Sequence, residues 1–257
     1  MSINIIGKLL FCLLLVSVPF VLNNTLKLNI SDKLLKGGIS LLVLLVIYCA
    51  ILSFAIWQSH LWITLLTSFL IVGITCVWSL IRFHLKMQRL LIPSLAGLSS
   101  VMLILAPVSA LLISPAHQSF SPEYFIPIVG MLSGFIAYNT SRGLKRYYVG
   151  LRYHAALYYY LLGNGCTHHQ AVNYFFRRSL QSTVFWVLRY VSTTVATASP
   201  CLLLVLVWAH FPIVSAAILN LMFLLAVVSG SMISLTITLW VARRYTFDKY
   251  SRLQPVS

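Results

Sequence analysis

Residues 126–134 read Ile126-Pro127-Ile128-Val129-Gly130-Met131-Leu132-Ser133-Gly134, and residues 163–171 read Gly163-Asn164-Gly165-Cys166-Thr167-His168-His169-Gln170-Ala171. The first stretch is apolar with small residues, as in the interior of a membrane span. The second is a glycine-broken polar turn. A basic, tyrosine-rich segment lies between them, and a new apolar run begins near Thr183. Two spans joined by a long polar connection, with an elbow in its middle, is the pattern that the rest of the chain must fit. Nothing elsewhere reads as a nucleophile, a metal cage or a phosphate loop, so any action of the chain is expected to pass through this connection.

Outward from it, apolar runs cover about Ile5–Leu22, Gly38–Trp57, Leu61–Ile81, Leu90–Ile113, Phe125–Tyr138, Thr183–Trp208 and the stretch from Pro212 to Ala242. Most approach the twenty or so residues needed to cross a hydrocarbon core. Of the 257 residues, 60% are hydrophobic and only 8% charged, against about 25% charged in a soluble domain, so too few charges exist to cover a water-facing surface. Alternating strands of about ten residues, the mark of a membrane barrel, are absent. The expected fold is all-α: a polytopic integral membrane protein of one transmembrane domain, residues 1–257, with a polar connection at about 142–178. Pro93 and Pro107 are expected to bend the fourth run.

The charge is lopsided, with 18 Lys and Arg against 3 Asp and Glu, a net +15. Its placement decides what it means. Asn23–Lys36, Arg82–Arg89, Arg142–Arg178 and the tail from Arg243 are basic, whereas Gln58–His60, Ser114–Tyr124 and Ala209–Pro212 contain no Lys or Arg. By the positive-inside rule this alternation gives about seven spans, with the N-terminus outside and the C-terminus cytoplasmic. Removing the first run as a cleaved signal would put the basic segments on the wrong side. The positive charge is therefore read as topology, and no nucleic-acid partner is expected. Cys12, Cys49, Cys76, Cys166 and Cys201 show no paired spacing and read as small buried residues.

Within this frame several residues could carry function. Gly130-x-x-x-Gly134 allows a close helix–helix seam, or is ordinary small-residue packing; Pro127 just before it should bend the helix. Tyr147–Leu162 carries six tyrosines, suited to a helix at headgroup depth. At Gly163-Asn164-Gly165 the helix should stop, because such residues accept the left-handed C-cap conformation. Thr167 can then N-cap a short helix through Ala171 and Tyr174. Such a helix–elbow–helix either fits a groove on a soluble partner or is a plain connector. His168 and His169 diverge on a helix and lack further ligands beyond Cys166, so no metal centre is expected. Arg177 and Arg178 should anchor among lipid phosphates. Arg189, two turns into the sixth run, either snorkels or lines water. Ser192, Thr193, Thr194, Thr197 and Ser199 before Pro200 form a polar stripe, read as a translocation-facing wall or as interhelical hydrogen bonding. There is no carboxylate pair, Ser–His pair or HExxH at catalytic spacing, and the chain is not expected to be an enzyme.

Ile126-Pro127-Ile128-x-Gly130-Met131-x-x-Gly134, Leu162-x-x-Gly165-Cys166-Thr167 followed by Gln170-Ala171, Arg177, Ser179 and Pro200 together resemble the iron-export ABC permease family (FetB-like), whose plant relatives are linked to aluminium tolerance. The resemblance covers about residues 124–245. It implies the membrane subunit of an ABC exporter in the inner (plasma) membrane, a homodimer driven by a separate ATPase subunit that binds ATP–Mg. Leu162–Ala171 would be the ATPase-coupling elbow. Pro127, Gly130, Met131, Gly134 and Pro200 would be the packing or gate positions, and Arg189, Ser192, Thr193 and Thr197 the translocation wall. Iron or another metal would be the cargo, with no metal ligand identified. No cofactor is expected on this chain, which has no Gly-x-x-x-x-Gly-Lys-Ser/Thr sequence. The sequence departs from the family where Arg146–Tyr160 is basic instead of Glu- and Gln-rich, where Arg189 replaces an acid, where Ser192 replaces a Lys, and at Ser199-Pro200-Cys201-Leu202. The alternative reading is an ATP-independent channel or secondary carrier. Its marks, a paired intramembrane charge or broken helices in repeated halves, are not evident.

Overall fold

The computed structural model describes residues 31–58, 60–113, 120–197, 199–200 and 212–246. These form seven helices and, among the described residues, no strand: α1 (Ser31–Gln58), α2 (Leu61–Arg82), α3 (Met87–Ile113), α4 (Pro122–Tyr153), α5 (Ala155–Gly163), α6 (His168–Thr197) and α7 (Ile213–Thr246). The chain divides into two compact units between Phe54 and Ala55. The first holds most of α1, an apolar helix; α2–α7 build the second.

Residues Gly38–Gln58, Leu61–Arg82, Met87–Leu112 and Ile213–Thr246 are long and apolar enough to cross a membrane. The α2–α7 bundle shows the inside-out surface of such a protein. Its exposed side chains include Trp62, Leu66, Phe69, Leu103, Ile104, Phe185 and Leu225, a larger apolar surface than a water-soluble bundle tolerates. Small polar residues share the interior with an apolar core. On α2 the buried face is Thr64, Thr67, Ser68, Ile71, Val72, Thr75, Cys76, Ser79 and Leu80. Its hydroxyls donate to carbonyls of the preceding turn, as Ser68 Oγ does to Thr64 (2.6 Å) and Thr67 Oγ1 to Ile63 (2.8 Å). Small side chains satisfied in this way let helices approach closely where lipid supplies no hydrophobic drive.

α4 is the axis of the bundle and packs on each of α2, α3, α6 and α7. Ser141 shares a hydrogen bond with Ser79 of α2 (2.8 Å), and Tyr148 Oη donates to Thr246 Oγ1 of α7 (3.3 Å). A Cβ on Gly143 would come within 2.7 Å of both Leu235 Cδ2 on α7 and Thr183 Oγ1 on α6.

Several expectations change. The fifth run does not end near Tyr138: α4 continues through the basic segment to Tyr153, because Arg, Lys, Tyr and Leu sustain a helix once its sides are packed. The elbow leads into no short helix. α6 runs unbroken for 30 residues from His168, well before Thr183, since no Gly or Pro interrupts 168–197. Neither α4 nor α6 qualifies as an apolar span over the described residues. α4 turns basic at Arg142, and α6 is polar before Thr183 and ends at Thr197, where the described chain breaks off. Pro93 and Pro107 both lie inside the single helix α3. Cys76 is buried as expected, but Cys49 is exposed on α1 and Cys166 half-buried. The first run, Cys12, Cys201, Leu202, most of the Ala209–Pro212 turn and the tail beyond Thr246 lie outside the described residues.

Candidate functional site

α4 ends at Tyr153, and His154 hinges the chain into α5 by donating its N–H to the Gly150 carbonyl (3.0 Å). α5 rests on the bundle through Tyr158, while Leu157, Tyr159 and Tyr160 face outward. Burial, with Tyr159 adding to it, pushes the Tyr158 hydroxyl up to about 12. It stays a neutral donor throughout the physiological range.

The elbow then closes in two interlocking caps. The Cys166 N–H reaches the Leu161 carbonyl (3.1 Å) and the Gly165 N–H reaches the Leu162 carbonyl (3.2 Å), the paired bonds of a Schellman motif with Gly165 at its left-handed position. Gly165 alone has positive φ there, +81°. Asn164 sits at φ −84°, so the left-handed role expected of the whole Gly-Asn-Gly triplet falls on one residue. One step later Thr167 and Gln170 form a capping box: Gln170 Oε1 accepts from the Thr167 N–H (3.0 Å), and Thr167 Oγ1 accepts from the Gln170 N–H (3.4 Å). Leu162 is half-buried, Gly163, Asn164, Gly165, Thr167 and Gln170 are exposed, and Ala171 and Val172 are sealed in the core. The His168 and His169 side chains lie outside the described ones. The elbow is therefore a rigid, solvent-exposed projection seated on a buried helix start.

The turn from α2 to α3 is built in the same way. The Leu85 N–H bonds to the Leu80 carbonyl (3.1 Å), the His84 N–H bonds to the Ile81 carbonyl (3.0 Å), and His84 takes the positive φ of 55°. It lies at the same end of the bundle as the elbow. Phe83 shares a cleft with Tyr153 and His154, and Arg243 of α7 stacks over Phe176 of α6 at 5.5 Å. The structure thus brings the basic ends of α2, α4, α6 and α7 to one side, the arrangement that the charge alternation requires.

α6 carries the elbow into the bundle. Its face of Val172, Phe175, Ser179, Thr183 and Val187 is buried, and Ser179 Oγ donates to the Gly143 carbonyl of α4 (3.0 Å). Arg146 of α4 donates to Ser182 Oγ. Farther along, Arg189, Ser192 and Thr193 are exposed. Thr193 and Thr194 both donate to the Tyr190 carbonyl (2.7 and 2.8 Å), bonds within the helix and not across a seam. The Thr197 side chain lies outside the described ones. Ser199 is buried and Pro200 exposed just beyond the helix. Among the described residues no three His, Cys, Asp or Glu side chains gather as a metal group.

The glycines divide unexpectedly. Pro127 and Met131 are exposed, and a Cβ on Gly130 or Gly134 would meet nothing within 4 Å. The close seams lie elsewhere. A Cβ on Gly97 of α3 would strike Thr238 Oγ1 and come within 2.6 Å of the Ser234 carbonyl, and one on Gly230 of α7 would come within 2.6 Å of Ile136 and 2.8 Å of Leu105. The signal was present as Ala226, Gly230, Ser234, Thr238 and Ala242, a small residue every fourth position along α7.

A family model matches residues 6–247, almost the whole length over which this architecture extends. The chain belongs to the uncharacterised protein family UPF0014. UPF0014 is a family of membrane transporter permeases, and a multi-pass helical bundle with a rigid polar elbow at its basic end is in keeping with that membership. No match was found among characterised proteins or among solved structures.

Proposed function

We propose that this chain is the membrane-spanning permease subunit of an ABC exporter in the inner (plasma) membrane. It would work as a homodimer of one transmembrane domain each, with a separate ATPase subunit that binds ATP–Mg. The observation that supports this reading most is the mechanical continuity of elbow and bundle. The exposed Gly163–Gln170 projection is locked at both ends by backbone caps and passes without a break into α6, which is hydrogen-bonded to α4 at Gly143. A partner gripping the projection moves α6 as a rod instead of bending a loop. Closure of the ATPase on nucleotide would tilt α6 and alternate the access of a path between subunits, lined on this side by Arg189, Ser192 and Thr193. Gly130 and Gly134, open within the chain, would serve the contact between copies. By resemblance the cargo is iron or another metal, passed along the path without a resident metal centre.

The test is co-purification of the full chain with a candidate ATPase subunit, followed by ATP hydrolysis and transport in proteoliposomes. Gly165→Arg is expected to leave the folded dimer intact while uncoupling hydrolysis from transport. Unchanged association and transport in that variant would remove the elbow from the mechanism. Full transport by the chain alone, without any ATPase, would favour the channel or carrier reading instead.

A further inference from the structure

Two clefts, of about 760 and 700 Å3, share Arg146, Arg178 and Ser182 in their walls and so adjoin along the contact between α4 and α6. Arg189 lines the first, and Arg142 and Lys145 the second. Five cations thus face one connected space with no carboxylate in its lining. Of the chain's three acids, Glu123 is in the first turn of α4, 19 residues and about 28 Å of helix from Arg142. Asp32 belongs to the other unit, and Asp248 lies outside the described residues.

Two of the cations are held in place. The Arg142 guanidinium stacks 3.2 Å from the centre of the Trp186 ring, and Arg146 donates to Ser182. Lys145, Arg178 and Arg189 have no hydrogen bond or ion pair among the described residues. A gap whose wall holds one tethered fork, Arg146, beside one without a partner, Arg178, suits an oxyanion with several acceptor oxygens. Apart from Gln181 and the shared Ser182, the rest of the first cleft's wall is apolar: Leu180, Val184, Trp186, Met232 and Phe185, the last 82% exposed. It leads from the basic end of the bundle toward the exposed apolar side chain of Phe185 on α6. A free phosphate would use the cations and leave this wall bare, whereas an amphiphile uses both.

We infer that this gap is a binding site for the phosphate head group of an acidic membrane lipid, held between Arg146 and Arg178, with its chains along Phe185 and Val184. The structure also separates the neighbouring arginines of α6: Arg178 lines both clefts and Arg177 neither. The site requires no particular cargo and no ATPase.

The experiment uses the full chain in nanodiscs of phosphatidylcholine, alone or with about a fifth phosphatidylglycerol, and reads the thermal unfolding midpoint and the lipid retained in native mass spectra. Phosphatidylglycerol is expected to raise the midpoint of the wild type and of Arg177→Gln. The rise should be lost in Arg146→Gln/Arg178→Gln, with retention falling about fivefold per charge removed. An equal loss in Arg177→Gln would mean diffuse surface attraction and overturn the site. Glycerol phosphate, the head group without chains, is titrated against wild-type protein in neutral nanodiscs. If it alone reproduces the rise, the ligand is a soluble phosphate and the lipid assignment fails. If the double variant does not fold, the wild-type comparison decides: failure to retain phosphatidylglycerol over phosphatidylcholine rejects the site.

Discussion

Gly165→Ala isolates what the elbow's geometry contributes. Gly165 sits at φ +81°, and a Cβ there would meet nothing within 4 Å, so the substitution introduces no clash. Its whole cost is conformational. An L-residue in the left-handed region costs about 1–2 kcal/mol, and Asn costs less because its side chain tolerates that region. Gly163 provides the control. It is the last residue of α5, its missing Cβ also faces open space, and its φ is ordinary, so Ala there should be neutral or stabilising by up to about 1 kcal/mol. The expected order of elbow stability is therefore Gly163→Ala at or above wild type, then Gly165→Asn, then Gly165→Ala.

Amide hydrogen exchange of the intact protein in detergent reads this locally. The Cys166 N–H, bonded to the Leu161 carbonyl, should exchange about 5- to 30-fold faster in Gly165→Ala, while amides of the α3–α7 seam keep wild-type protection. If Gly165→Ala leaves Cys166 exchange unchanged, or if Gly163→Ala perturbs it more, the left-handed cap is not what holds the elbow.

The other predictions concern the helices that carry it. Gly97→Ala should destabilise the bundle by about 1–3 kcal/mol, because its Cβ meets the Ser234 carbonyl; Gly134→Ala should leave the unfolding midpoint of the monomer unchanged, and equal effects would refute the assignment of the seams. His84→Gly should raise the midpoint by relieving a positive φ at a non-glycine residue, a stability gain of about 0.5–1 kcal/mol after the greater freedom of the unfolded chain is counted. Ser179→Ala removes the hydroxyl that donates to the Gly143 carbonyl and should cost about 1 kcal/mol, with loss of coupling in the reconstituted complex. Tyr158 has its folded-state value raised above the ordinary 10 to about 12. The protonated form therefore favours folding, and the stability it contributes is complete below pH 10 and lost as pH rises toward 12, a decline that Tyr158→Phe should abolish.

The fold class, the C-cap at Gly163–Gly165 and the N-cap at Thr167 were readable because each depends on neighbours in sequence. Leu61–Arg82 follows its apolar run almost to the residue, and the Thr167–Gln170 box follows from residue types three positions apart. What could not be read was set by partners distant in the chain. α4 continues through Arg142–Arg152 because α6 and α7 cover its sides, and hydropathy carries no trace of that cover. Gly130 and Gly134 drew attention as a motif, yet among the described residues the glycines under contact are Gly97, Gly143 and Gly230, whose need for a missing Cβ arises only when α3, α4, α6 and α7 meet. The basic connection read mostly as topology, with Arg177 and Arg178 alike expected among lipid phosphates. That Arg178 lines a cleft with Arg146 while Arg177 does not depends on the rotation of α6 against α4, which a list of charges does not contain.

These contacts between distant parts of the chain also set how motion would spread. From Thr167 to Ser179 α6 extends about 18 Å, and from Ser179 to Arg189 about 15 Å. The Ser179–Gly143 bond lies near the middle of that length, with Thr183 packed beside it. A straight rod held there and pushed at its elbow end turns about the hold. A displacement of about 2 Å at Thr167 then returns as one of somewhat under 2 Å, in the opposite direction, at Arg189. Arg178 sits beside the pivot and barely moves, whereas Arg189 travels with the far arm. Arg146 of α4 and Arg189 of α6, which line the same cleft, would therefore part or approach as the elbow is pushed, so an anion bridging them opposes the stroke in one direction and favours it in the other. Elbow and basic cleft are on this argument mechanically linked through α6, although neither needs the other to form.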